Sequence, residues 1–277
     1  MRNKVALLGL LLVAGHGFAQ SVVTNTVRPA DSENRQAAAR EFRITLSKPA
    51  QPGKLVLHEL ESDVIIERHA GKDVVVTQDG HRGLSEKAKG LRSLTSAGED
   101  NTGIGLEIKE SNNTVEIAEA MKQGSTCRVM VPDNMNIQVL YRTPHSGSLT
   151  LRNISGEIEI NGGYANIKLE DVTGPAVINT IAGEVEARFT KVSQKSPISI
   201  SSTGGDVDVT LPGDTPANLR LNTMGGEIYS DLKLETEKKG DLERFGGREV
   251  VNGKLNGGGV QIDLRSVGGT IYLRSRK

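Results

Sequence analysis

Leu151-Arg152-Asn153-Ile154-Ser155-Gly156-Glu157-Ile158-Glu159-Ile160 is the stretch from which the fold can be read. An apolar residue, a small polar corner, a second apolar residue and a Gly lead into alternating charged and apolar positions. Period-two alternation is the mark of a strand with one buried face. The pattern returns at Leu169-Glu-Asp-Val172-Thr-Gly174, followed after one extra residue by Val177, and at Asn179-Thr-Ile181-Ala-Gly183-Glu-Val185, one residue shorter. Further copies run Ile200-Ser-Ser-Thr203-Gly-Gly205-Asp-Val207-Asp-Val209, Leu221-Asn-Thr-Met224-Gly-Gly226-Glu-Ile228-Tyr and Leu264-Arg-Ser-Val267-Gly-Gly269-Thr-Ile271-Tyr. A Gly before each strand is expected to allow a sharp corner or a positive φ.

The apolar anchors Leu149, Ile158, Ile167, Val177 and Val185 recur every eight to ten residues. That spacing holds a short strand and a tight corner and leaves no room for a βαβ crossover helix. Corners of the same composition imply the same chain geometry at every turn. The predicted fold is therefore all-β, a β-solenoid with two strand units per coil. An antiparallel β-sandwich is the alternative, but it would usually bring hairpin turns and an aromatic-rich core.

Outside the copies, strand-like alternation continues upstream at residues 55–67, 73–77, 105–110, 114–117, 127–131 and 137–141. Two charged interruptions, 80–103 and 233–250, read as loops that leave the coil and return, the first with a short helix near 85–94. Together with Val131-Pro132 before a strand, Val209-Thr-Leu-Pro212 before Leu219-Arg-Leu, and the terminal Leu255-Asn-Gly-Gly-Gly259 and Gly268-Gly-Thr-Ile-Tyr-Leu273, these copies resemble the bacterial putative-adhesin family of β-strand-repeat proteins, long described as a domain of unknown function. The resemblance covers roughly residues 41–277. It implies an all-β, right-handed parallel β-helix or β-solenoid-like fold on exported, cell-envelope-associated proteins, and brings no catalytic residues with it.

The 277 residues carry 34 basic and 34 acidic side chains, 32 Gly, eight aromatics and no Trp. Zero net charge argues against a nucleic-acid binder that relies on a strongly basic surface. Arg2 and Lys4 precede an apolar run over 5–14, and Gly17-Phe18-Ala19 places small residues before Gln20, so 1–19 reads as a secretory signal peptide. That run is too short to span a bilayer. Residues 20–40 read as a flexible tether and 41–277 as one repeat domain in an exported bacterial protein, whether periplasmic, surface-bound or secreted. Cys127, the only Cys, alternates with Val129 and Val131 and is expected to be a small buried hydrophobe.

Stacked coils would place Glu184, Glu186, Asp206, Asp208 and Glu227 at equivalent outward positions, an acidic stripe that hard cations such as Ca²⁺ favour. A solvated acidic face without any cofactor is the plainer expectation. Tyr229 and Tyr272 share one repeat position and form a candidate ligand-contact patch. His58, His69, His81 and His145 show no zinc spacing, although His58 and His69 are placed to face one another across a corner. No nucleophile–base pair, phosphate-cradling loop or dinucleotide fingerprint is readable. The reading is a non-enzymatic module, an adhesin or scaffold presenting a repetitive polar surface to an unidentified envelope polymer or protein. A carbohydrate-active enzyme on a β-helix is the alternative, disfavoured by the scarcity of aromatics.

Overall fold

Apolar residues at every second position commit the repeat region to strands, and burial follows the same parity. Leu149 and Leu151 point inward in β10 (Leu149–Arg152), Ile158 and Ile160 in β11 (Ile158–Asn161), and Ile167 and Leu169 in β12 (Ile167–Val172). The same holds for β13 (Ala176–Thr180), β14 (Val185–Phe189), β15 (Ile198–Ser202) and β16 (Val207–Pro212). The computed structural model describes residues 24–25, 40–79, 87, 91, 98–121, 126–141, 147–235, 242–245 and 247–277. The expected signal peptide, most of the tether and nearly all of the expected 85–94 helix lie outside them. Within 20–40, Thr24–Asn25 (β1) is a two-residue strand.

Consecutive strands alternate between two sheets and pair in parallel within each. β10, β12, β14 and β16 are neighbours in the first sheet, and β11, β13 and β15 in the second. Two strands make one coil, so the chain is a β-solenoid and not an antiparallel sandwich. Apart from a bulge between Leu169 and Val172 in the β12–β14 pair, the register is one-for-one: Leu149, Ile167, Val185 and Val207 stack, as do Ile158 with Ala176, and Ile160, Ile178 and Ile200. Between the sheets lies a continuous Ile/Val/Leu interior with Phe189 among its largest fully buried side chains.

One predicted anchor is corrected. Val177 is 41% exposed, while Ala176 and Ile178 are buried. Ala176 pairs with Ile158, so no residue is inserted, and Leu149, Ile158, Ile167, Ala176 and Val185 follow at a constant interval of nine. Strand parity is dictated by the hydrogen-bonded neighbours on both sides, and that outweighs the preference of a single Val for the interior.

Of the two expected uses of a corner Gly, a positive φ is found at Gly225, at 90°. Gly156, Gly174, Gly183, Gly205, Gly226 and Gly269 do not adopt positive φ. A Cβ at Gly183 would stand 1.7 Å from the Ala165 carbonyl oxygen, and one at Gly174 1.8 Å from that of Gly156. Adjacent coils touch backbone to backbone at these corners, and only a residue without Cβ fits.

Chain order and spatial order part company at both ends. The coil formed by β3 (Lys54–His58) and β4 (Val64–Arg68) lies between β7–β8 (Thr114–Glu119, Cys127–Val131) and β9–β10, where β9 is Asn136–Leu140. At the other end, β21 (Val260–Ser266) and β22 (Ile271–Arg276) slot between β15–β16 and β17–β18 (Ala217–Met224, Ile228–Ser230). Antiparallel strands finish the sheets: β2 (Arg40–Thr45) and β5 (Asp73–Gln78) beyond β8, and β6 (Leu106–Ser111) on β7. The expected return loop at 233–250 instead contains β19 (Leu242–Phe245) and the start of β20 (Arg248–Leu255), a hairpin laid antiparallel on β17. Its charged composition suits an edge that must not invite further strands.

Candidate functional site

The outer face of the first sheet carries a row that follows from register alone: Thr150, Lys168, Glu186, Asp208, Tyr272 and Tyr229 stand side by side across six strands. Of the predicted stripe, Glu186 and Asp208 are true neighbours. Glu184, Asp206 and Glu227 form a parallel row just before the strands, but Thr270 of the inserted coil separates Asp206 from Glu227. The stripe is thus broken where sequence order and spatial order diverge.

Cations of the same chain pair with two of these five carboxylates, Glu186 and Asp208. Glu186 pairs with Arg188 and, at 3.5 Å, with Lys168; Lys168 also reaches Glu170 at 3.1 Å, and Arg152 Nε donates to Glu170 at 2.6 Å. Burial pushes the Glu186 carboxyl up, but Arg188 and Lys168 outweigh it and the net shift is downward. The hydrogen bond from Arg152 dominates at Glu170 and holds its carboxyl low as well. Arg274 Nη2 lies 2.9 Å from Asp208. Asp206 Oδ1 accepts the Thr270 N–H at 2.7 Å, a corner bond repeated by Asn166 with the Glu184 N–H and by Asp63 with the Ser148 N–H. Among the described residues no group of three or more His, Cys, Asp or Glu converges on a point suited to a metal ion.

The two predicted tyrosines do meet. Tyr229 and Tyr272 stack with ring centroids 5.8 Å apart at 17°, and the Arg274 guanidinium lies 5.2 Å from the Tyr272 centroid. Tyr229 donates its hydroxyl to Glu227, which retains the phenolic proton and raises the Tyr229 pKa. The result is an exposed aromatic step with a cation on one side and a carboxylate on the other, a shape that suits a flat or sugar-like ring.

The second sheet presents a different outer face. One row runs Gln138, Glu159, Val177, Ser199, Asp263, Arg220 and Asn252; the next runs Leu140, Asn161, Asn179, Ser201, Arg265 and Asn222. Arg248 Nε donates to Asn222 Oδ1 at 3.2 Å, and Gln261 Nε2 donates to Asp263 Oδ1 at 3.0 Å. Nearer the N-terminal end of this sheet, an open cleft of about 450 Å³ holds His58, 3.7 Å from Glu116, and Lys109, 2.7 Å from Glu107. His69 instead shares a 2.8 Å hydrogen bond with the Asp73 carbonyl, so His58 and His69 do not face one another; His81 and His145 lie outside the described residues.

Cys127 is fully buried, as expected, and burial followed by the Glu119 charge pushes its thiol up to about 12. Sequence reasoning named the acidic side chains and missed their partners. Lys168, Arg188 and Arg274 sit at the same outward parity as the carboxylates, and applying that parity to every charge would have found them. It also missed Thr180, Ser202, Ser266 and Thr223, buried hydroxyls on adjacent coils that each donate to a corner Gly carbonyl of the neighbouring coil at 2.7–2.9 Å. Their signal is a Ser or Thr three residues before the corner Gly.

Comparison with curated proteins found no match. Among solved structures, a putative cell adhesion protein from Clostridium sporogenes is 10% identical, with 86% of this chain and 100% of that one covered and a TM-score of 0.42. A putative adhesin from Bacteroides fragilis is 9% identical, with 87% and 98% covered and a TM-score of 0.35. Residues 134–274 match the family described as Toastrack DUF4097. That match takes in just over half of the chain, including every glycine-cornered copy from Gly156 to Gly269, and the chain belongs to this family.

Proposed function

We propose that the protein is an exported, non-enzymatic binding module of the bacterial cell envelope, an adhesin or scaffold that recognises a polymer or partner protein through its ordered outer faces. The observation that carries this reading is the one-for-one register of outward side chains, which ends in the Tyr229–Tyr272 step beside Arg274. A rigid solenoid holds such rows at the strand spacing of about 4.8 Å, so a repetitive ligand meets pre-ordered contacts with little further loss of entropy. The apolar run before Gln20 supports export. No helix among the described residues is long and apolar enough to cross a membrane.

The test is retention of the purified chain on immobilised envelope polysaccharide and envelope protein fractions, with Tyr272→Ala alongside. Retention that weakens several-fold in the variant is expected, since aromatic contacts of this kind are worth about 1 kcal/mol or more. Failure of the wild type to be retained by either fraction removes the reading.

A further inference from the structure

We propose that the outer face of the second sheet carries a binding groove for a linear anionic polysaccharide, with Arg220, Arg248 and Arg265 as its anion-recognising residues. This deepens the binding-module reading and rests on it.

The three arginines come from β17, β20 and β21; β20 lies antiparallel on one side of β17, and the inserted last coil brings β21 to the other. They line one cleft of about 250 Å³ together with Asn222 and Met224, and no carboxylate among the described residues lines it. Arg220, Asn222 and Arg265 also line an adjoining cleft of about 370 Å³ that continues over Asn179, Ser199 and Ser201. Across the strands from β13 to β20 the combined groove runs about 19 Å, at ~4.8 Å per strand.

The ionic state of these arginines sets them apart. On the first sheet Arg152, Arg188, Arg274 and Arg276 are paired with carboxylates, and the half-buried Arg128 of β8 is an exception among the described residues. Arg220 and Arg265 are exposed and make no hydrogen bond or ion pair among the described residues. Asp263 stands in register beside Arg220 but takes its hydrogen bond from Gln261. Two unengaged guanidinium forks and a third fixed by Asn222 offer paired N–H donors to planar or tetrahedral oxyanions. Asn and Ser side chains along the same groove supply donors and acceptors for hydroxyl groups.

Carboxylate and sulfate groups on a sugar chain both satisfy this chemistry. A nucleic acid suits it less: the described lining has no aromatic for base stacking, Asp263 lies in the groove, and the chain has zero net charge.

Titration calorimetry of the full chain with polygalacturonate, dextran sulfate, neutral dextran and duplex DNA tests the proposal. Binding to one or both anionic glycans is expected, and the tighter of the two names the oxyanion. That affinity should fall about tenfold in Arg220→Gln and again in Arg265→Gln, with unchanged melting temperature, because neither side chain holds a partner in the fold. Arg68→Gln, which removes the same charge from the Asp133 ion pair elsewhere, should bind as the wild type does. An equal loss in Arg68→Gln would mean a general charge effect and overturn the site. Equal binding to neutral dextran would overturn the anion requirement, and tighter binding to DNA would overturn the polysaccharide. Retention on envelope fractions without affinity for either anionic glycan would overturn this inference alone; absence of both would remove the binding-module reading with it.

Discussion

Two residue types make the corners possible, one by having no side chain and one by having a very short one. At Gly183 the neighbouring coil's carbonyl lies where a Cβ would be, whereas a Cβ at Gly268 would come no nearer than 3.3 Å to the Thr203 carbonyl. Gly183→Ala should therefore cost at least about 1–3 kcal/mol, as overpacking does, and Gly268→Ala clearly less, read as urea midpoints. Beside the glycines, Ser202 donates to the Gly183 carbonyl at 2.9 Å and accepts the Gly205 N–H at 2.9 Å. Ser202→Ala strands both buried groups and should cost about 1–3 kcal/mol, while Ser202→Thr, the residue found on the neighbouring rung at 180 and again at 223, should stay within about 1 kcal/mol. Tyr141 poses the opposite case. Its hydroxyl is buried without a hydrogen-bond partner among the described residues, and burial raises its pKa. Tyr141→Phe removes a desolvated group, so thermal melting should show stability equal to or up to about 1 kcal/mol above the wild type.

The elements are ordered by what each slot requires and not by position in the chain. β17 lies one place away from β15, and β21–β22 fill the gap with the buried Ile262, Leu264, Ile271 and Leu273. A chain ending at Gly259 would leave the parallel edges of β15 and β16 unpaired and those four side chains missing. Hydrogen exchange should then show lost protection over β15–β20, and a peptide spanning 260–277 added in trans should restore it. Protection unchanged by the truncation would contradict the inserted-coil topology. The ion pairs on the first sheet act at the same level, linking strand to strand. Because Glu170 and Glu186 have lowered pKa values in the folded state, their contribution is complete above the unfolded value of 4.5 and is lost as pH falls through the folded values. Both groups are partly exposed, so the effect should be modest and weaken with salt. Tm measured between about pH 5 and pH 3 should fall more steeply in the wild type than in Arg152→Gln.

For the whole molecule, one narrow apolar interior supports two outer faces of different character, a charge-paired ladder and a polar groove with free guanidinium groups. Since Glu186, Asp206, Asp208 and Glu227 already hold Lys, Arg, backbone or Tyr partners and only Glu184 of the stripe is left without one among the described residues, millimolar Ca²⁺ and EDTA should give the same melting temperature; a rise with Ca²⁺ would show a site that the intramolecular pairs do not satisfy. The family resemblance drawn from glycine corners and strand anchors is borne out by the match over 134–274. The strands, the solenoid and the burial of Cys127 were legible because alternation and repeat length are local properties, written in each ten residues. Val177 was misread because parity at one position depends on the strands either side of it. The tyrosine stack was partly legible, since Tyr229 and Tyr272 share a repeat position and the inserted coil brings them side by side. The arginine groove was not legible at all: Arg220, Arg248 and Arg265 lie on three strands whose adjacency depends on which coil fills which slot. Amino-acid order alone thus determined the period, the corners and the apolar interior, because short-range sterics and side-chain parity dictate them. Only the tertiary structure decided which rows of charge stand together, because strand pairing over long stretches of chain depends on the packing of the whole core.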